Sequence, residues 1–453
     1  MSAKKIGSEP VYDARTLGTP RMLVLGLQHM FAMFGATVLV PALTGLDVAT
    51  TLLFAGLGTL LFHLLAKGKV PAFLGSSFAF IGGYNAVRTI GAAADGTPIY
   101  DNALLPYACF GVAVAGLMYV ILAALFKAFG VKKVMRFFPP IVTGPIIIAI
   151  GLTLSSSAIN NCKGNWLIAI VAILIVIGFN MWGKGMMKII PILLGVLGSY
   201  LLAVIIDPAE REAVATAVGQ AKWFGLPIIW KNSVFSLFSG SVDTGLLLSA
   251  CFTIVPLSLA TMVEHIGDIC AISSTCGKNY MVDPGFHRTL LGDGLATTLA
   301  SLFGAPANTT YGENTGVLAL SRVYDPRVIR IAACIAIIVS FCPKFAALVS
   351  AMPTATIGGV SLVLYGMISA VGVRNVVENQ VDFTNTRNVI IAALILVLAI
   401  GINYSGSIQI GVVSLSGLAV ASIVGILLNA ILPGKDYEFK QEDKGATSVD
   451  FKV

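Results

Sequence analysis

Glu264 and Asp268 stand one helical turn apart inside a run, 244–275, that otherwise reads as a membrane span. Spacing i, i+4 puts both carboxylates on one helix face. A carboxylate at bilayer depth costs several kcal/mol unless it faces a cavity or a partner, which marks both as functional-site candidates. A third acid, Glu313, lies in PANTTYGENTG (306–316), an irregular stretch between two apolar segments. The basic residues cluster at the ends of the apolar runs, so these acids have almost no cationic partner available. Unpaired buried acids raise their pKa and become groups that load and unload a proton. Three of them in one hydrophobic chain point to proton-linked carriage of a polar solute, the proton acting as coupling ion without any further cofactor. His265 projects about 100° away from the acids and reads as a neutral histidine satisfied by a neighbouring helix. His29, in the first apolar run, divides evenly between packing and function.

Two irregular stretches flank this chemistry. In PANTTYGENTG, Asn308, Thr309, Thr310 and Tyr311 favour extended or turn backbone and Gly312 breaks any regular run. Extended backbone at membrane depth is tolerated where it lines a cavity or is covered by protein. A helix starting near Glu313 would aim free N–H groups and its positive dipole end into that cavity. The competing reading is a plain outer loop with Glu313 in water. PAFLGSSFAF (71–80) has the same character, with Phe78 and Phe80 after a Gly-Ser-Ser turn. One ring there could flank a flat solute, although lipid-facing or packing roles are the plainer reading of such aromatics. No P-loop, HExxH, GxSxG or metal-spaced His/Cys set occurs, so neither ATP drive nor enzyme chemistry is expected. The seven cysteines include no CxxC pair and read as small packing residues.

The positioning elements follow from composition. The chain has 453 residues, 57% hydrophobic and 11% charged, with a mean hydropathy of +0.89. Soluble domains carry roughly a quarter charged residues, so the reading is an all-α polytopic membrane protein. Apolar segments fall at 21–44, 48–66, 70–91, 103–126, 134–157, 165–182, 188–206, 244–275, 287–303, 309–321, 328–343, 346–372, 387–403 and 409–432, fourteen in all. Placing the N-terminus inside collects 23 of the 29 basic residues on the inner side and leaves six outside: Arg88, Lys163, Arg211, Lys222, Lys231 and Lys344. That bias sets both termini in the cytoplasm, and it explains the net charge of +7 as topology without a nucleic-acid partner. No short cleavable leader is evident in the polar first twenty residues.

A membrane domain is expected over 1–433, with a short charged tail at 434–453. The longest hydrophilic connection, 207–243, divides the chain into repeats of seven segments, about 15–206 and 244–433. An odd number per half inverts the second copy, the plan of many secondary transporters, whose substrate sits where broken helices meet. Pro139 and Gly144 in the fifth segment echo Pro353 and Gly358 in the twelfth, and the interrupted third and tenth segments match each other.

The motifs LQHMFAMFGATVLVP (27–41), PAFLGSSFAF, VEHIGD, DPGFHRTLLGDGLAT (283–297), NTTYGENTGVLALSRVY (309–325), GGVSLVLYG (358–366) and VDFTNTRNVII (381–391) resemble the nucleobase–ascorbate transporter family, and within it the bacterial uracil permeases. The resemblance implies fourteen spans in two inverted repeats, core and gate domains, short strands in spans 3 and 10, proton symport, a homodimer and the bacterial plasma membrane. It implies that Glu264 and Glu313 hydrogen-bond the pyrimidine edge of uracil or a related nucleobase. Phe78 and Gly312 would offer backbone N–H groups, and Ala36, Tyr311 and Tyr365 would close the pocket. Proton coupling would fall to Asp268, Glu264 and His29. Uracil permeases of the family carry either His or Asp at the position of Asp268, and many purine carriers carry Asp, which leaves xanthine or uric acid as the alternative solute. Glu313 favours uracil, because the purine carriers resemble a Gln there. An anion transporter of the same fold is the more distant alternative, disfavoured by acids in the site.

Overall fold

The computed structural model describes residues 9–92, 98–184, 186–240, 242–410 and 413–434; most of the expected tail lies outside them. Its principal helices are α1 (Thr19–Thr44), α2 (Val48–Leu65), α3 (Ile81–Arg88), α4 (Leu105–Phe129), α5 (Pro140–Cys162), α6 (Trp166–Trp182) and α7 (Pro191–Ile206) in the first half. The second half has α8 (Thr244–Cys276, with a tight turn at Val255–Leu257), α9 (Phe286–Leu302), α10 (Gly312–Ser321), α11 (Pro326–Ser340), α12 (Thr354–Glu378), α13 (Thr386–Ser405) and α14 (Gly417–Ile431). Two short strands, β1 (Leu74–Ser76) and β2 (Asn308–Thr310), precede α3 and α10. The expected interruptions in the third and tenth segments are thus strand-then-helix units.

Local chemistry sets these boundaries. Proline occupies the first turn of α1, α4, α5, α7 and α11, where its missing N–H costs nothing. Asp47, Asn165, Asp325, Asn385 and Ser416 cap α2, α6, α11, α13 and α14 through side-chain oxygens that accept first-turn amides. Among the described residues seven helices are by themselves long and apolar enough to cross a membrane, and α6 and α14 are shorter apolar helices.

Equivalent elements of the two halves pack in matched pairs. The strands β1 and β2 pair with each other, antiparallel, with Gly75 opposite Thr309. Likewise α5 packs on its counterpart α12, and α2 on α9. The contacts of α1 and α2 with α11 are mirrored by those of α8 and α9 with α4, and the α6–α7 pair by the α13–α14 pair. Self-pairing of counterparts is what a two-fold axis between inverted repeats produces. The same contacts sort the helices into one group of α1–α4 with α8–α11 and another of α5–α7 with α12–α14. At the α5–α12 crossing the backbones meet at small residues: a Cβ on Gly151 would lie 2.2 Å from the Tyr365 carbonyl oxygen, and one on Gly372 2.6 Å from that of Gly144.

Three expectations need correction. The twelfth span is 354–378, not 346–372, because Pro353 caps α12 and pushes the residue before it out of the helical region. The helix before it, Pro343–Ser350, is bent 89° from α11. The last span begins at Gly417, since Ile408–Ile410 and Val413–Leu415 form a hairpin ahead of the Ser416 cap. The connection at 207–243 contains a helix, Pro208–Gln220, turned 112° from α7, and it exposes several large apolar side chains.

Candidate functional site

The antiparallel β1–β2 pair runs through the centre of the first helix group and points its two following helices in opposite directions. The N-termini of α3 and α10 therefore converge on the middle of the molecule from opposite sides. Their first-turn amides have no intrahelical partner and carry the positive end of the helix dipole. Ser77 N–H extends the ladder by donating to Ala307 O (2.8 Å), and the ladder ends there: Phe78 N–H meets no hydrogen-bond partner among the described residues.

Side chains fix the strand crossing from three helices. Asn308 Nδ2 donates to Phe54 O on α2 (2.9 Å), and Thr297 Oγ1 on α9 donates to Asn308 O (2.7 Å). Thr59 on α2 receives the Leu74 amide (2.9 Å). Tyr311 closes the junction: its hydroxyl donates to Ser76 O (2.9 Å) and accepts from Thr37 on α1 (3.3 Å), while its ring lies over Gly75. A Cβ on Gly75 would lie 2.4 Å from two atoms of that ring. Only glycine lets the tyrosine seat there.

Ala36, Phe78, Tyr311 and Tyr365 are all buried and belong to one packed cluster. Phe78 and Tyr365 meet edge to face, centroids 5.7 Å apart and planes at 77°, across the boundary between the two helix groups. Beside that contact a crevice of about 50 Å³ separates Phe78, Ala79, Gly82 and Leu257 from Ile150, Thr153, Leu154, Asn403 and Ser416–Leu418. Such a volume holds one or two waters.

The acids come from α8. Asp268 is buried, and its Oδ1 lies 3.4 Å from where a Cβ on Gly312 would project, which sets this carboxylate against the N-terminus of α10. Glu264, one turn earlier, is half-buried. The backbone of Glu313 is the second residue of α10, and its side chain lies outside the described residues. His29 on α1 reaches the next residue of α10: its Nδ1 is 3.2 Å from Asn314 Nδ2, and its Nε2 is buried without a partner among the described residues.

His265 turns away from the acids, as its helical phase requires, and finds partners on other elements. Its Nδ1 lies 2.6 Å from Asp293 Oδ2 on α9 and 3.1 Å from Thr310 Oγ1 on β2, all three side chains buried. Asp293 is a fourth acid within an apolar run, beyond Glu264, Asp268 and Glu313. Its signal in the sequence is a carboxylate in the middle of an apolar helical run, here in LLGDGLA. Among the described residues no group of His, Cys, Asp and Glu is arranged to hold a metal ion.

The model of a permease family, the xanthine–uracil permeases, matches residues 20–408. The uracil permease of Bacillus caldolyticus is 40% identical over 437 residues, covering 94% of each chain. That of Bacillus subtilis strain 168 is 39% identical over 451 residues (96% of this chain, 97% of the relative), and that of Escherichia coli K12 is 36% identical over 418 residues (90% of each). Among solved structures, the transmembrane domain of a cyanobacterial bicarbonate transporter superposes with a TM-score of 0.53 at 15% identity, over 93% of this chain and 99% of that one. A murine solute carrier 26 anion transporter, facing inward, gives 0.55 at 13% identity, over 94% and 73%. These two likenesses concern the fold alone.

Proposed function

The chain belongs to the nucleobase–ascorbate transporter family, and on that premise we propose that it is a proton-coupled uracil importer working by alternating access. The observation that carries this reading is the convergence of two strand-to-helix breaks with the acids of α8, Asp268 lying against the start of α10. Uracil presents two N–H donors and two carbonyl acceptors, so its edge needs both acids and amides. Glu264 and Glu313 accept the ring N–H groups, and the amides of Phe78 and Gly312 donate to the carbonyls. Ala36 and Tyr311 wall the ring on one side, and Tyr365 closes it from the opposing helix group. Tyr311 also holds β1 and β2 in the register that places the amides.

Proton loading falls to the α8 pair. Two carboxylates one turn apart each disfavour ionisation of the other, so one proton is shared between them and titrates as a property of the pair. His29 stands at the α10 end of the same path. The chain acts as a multi-pass transporter in the plasma membrane, both termini cytoplasmic, as a homodimer. Its similarity to uracil permeases supports uracil as solute. Asp268, shared with purine carriers of the family, supports xanthine as the second reading.

Competition decides between them. Excess unlabelled uracil should block uptake of labelled uracil into proteoliposomes, while the same excess of xanthine leaves most of it intact. Rejection through steric clash and unsatisfied buried polar groups can exceed ~100-fold. Xanthine competing as well as uracil would overturn the assignment of the base.

A further inference from the structure

Two connections between the helix groups are knitted together on the side opposite the basic-rich loops. The first, after α7, opens with the helix Pro208–Gln220; the second, between α11 and α12, is the helix Pro343–Ser350. They leave their spans at 112° and 89°, so both run close to the plane perpendicular to the membrane-crossing axes. They are tied to each other: Lys344 N–H donates to Lys222 O (3.1 Å), Gly225 N–H to Phe341 O (3.1 Å) and Lys344 Nζ to Val218 O (2.7 Å). Tyr200 of α7 donates to Leu348 O (2.9 Å) from below. Farther along, Trp230 and Phe235 pack tilted and edge-on against Phe303 at the end of α9, with centroids 6.1 and 5.3 Å away. The result is a ledge anchored at both ends.

What this ledge presents outward does not suit water. Phe224 and Leu226 are each 85% exposed, and Trp223, Trp230 and Phe238 are more than half exposed. Among these rings sit Lys222, Lys231 and Lys344, the last stacked 5.3 Å over Trp223. With Arg211 they make up four of the six basic residues on this side of the chain. Tryptophan and lysine together, at the level where spanning helices end, are the composition of a membrane–water interface, rings in the headgroup layer and ammonium groups on phosphate. We infer that residues 222–238 form an interfacial anchor, seated in the lipid headgroup region, that holds both connections between the helix groups at a fixed depth. The inference needs only that the chain spans a membrane, and its readout involves no solute, so failure of the uracil assignment would leave it standing.

The four tryptophans make the test direct, since the other two, Trp166 and Trp182, lie at the ends of α6. The W166F/W182F variant of the full chain, reconstituted in phosphatidylethanolamine–phosphatidylglycerol vesicles, keeps only Trp223 and Trp230 as emitters. Its fluorescence should be blue-shifted from that of indole in water. It should be quenched more by lipids brominated near the top of the acyl chain than by lipids brominated near its end or by aqueous iodide. Iodide quenching as strong as lipid quenching, or stronger quenching by the deep label, overturns the anchor. If that variant does not fold, W223F/W230F compared with the unsubstituted chain gives the same answer by subtraction: the emission lost should be the part quenched most by the shallow label, and a lost part quenched as strongly by iodide or by the deep label would contradict the assignment.

Discussion

At the scale of single residues, binding and coupling fall to different carboxylates within one turn of α8 in the proposed cycle. Glu264 is assigned to the solute edge, so Glu264→Gln should abolish uracil binding rather than slow transport. Losing a charged partner at a desolvated polar edge costs ~2–4 kcal/mol, or ~30- to 1000-fold in affinity. Calorimetry on purified protein giving an affinity within about threefold of the unsubstituted chain would contradict the role. Asp268 is assigned to the proton. Asp268→Asn should keep binding and solute exchange but lose accumulation driven by a pH gradient; a variant that still concentrates uracil and still dissipates the gradient would move the proton elsewhere. The Asp13 carboxyl, outside the membrane, is a useful contrast: its hydrogen bond with Arg15 lowers its pKa to about 2. A lowered carboxylate pKa contributes stability that is fully present above the unfolded value of 3.8 and is lost as pH falls from there through about 2. Asp13→Asn should therefore leave the pH profile of uptake between ~5 and 8 unchanged, and a shifted profile would show that this segment is linked to the transport cycle.

At the scale of elements, the strand crossing is the part that everything else depends on. Gly75→Ala forces a methyl group to within 2.4 Å of the Tyr311 ring and 2.8 Å of Thr37 Oγ1. Overpacking of this kind costs ~1–3 kcal/mol and displaces backbone. The variant should melt at a lower temperature and lose uracil binding together, because the displaced strand carries Phe78. An unchanged melting temperature with unchanged affinity would show that the register of β1 and β2 does not set the site. The existence of these breaks was legible in the chain, since Gly, Ser, Thr and Asn in two matched apolar segments announce them. Their antiparallel pairing was not, because register is a contact between residues more than two hundred positions apart. Nor was the partner of His265: helical phase showed that it turns from the acids, but only the packing of α8 on α9 identifies Asp293. The misplaced starts of α12 and α14 have a local cause, since hydropathy runs smoothly through Phe345–Val349 and Ile408–Leu415 while Pro353 and Ser416 decide where the helices begin.

At the scale of the whole molecule, two inverted halves place their counterparts against each other, and the pseudo-two-fold relation brings two helix N-termini to one central site. The two helix groups touch there through Phe78 and Tyr365, a contact that must open and re-form if one group moves against the other during transport. Charge distribution, the matched interruptions and the buried acids made this architecture readable; the ledge at 207–240 was hidden, because its charged residues mask an apolar surface that appears only once two bent helices are tied together. Coupled transport requires that uracil and a proton cross together. The most direct test loads proteoliposomes with a pH-sensitive dye, imposes no gradient, and adds uracil outside. The lumen should acidify as uracil enters, and an imposed inward proton gradient should drive labelled uracil above its external concentration. Uracil entry that leaves lumenal pH unchanged, with no accumulation under the gradient, would contradict coupled transport.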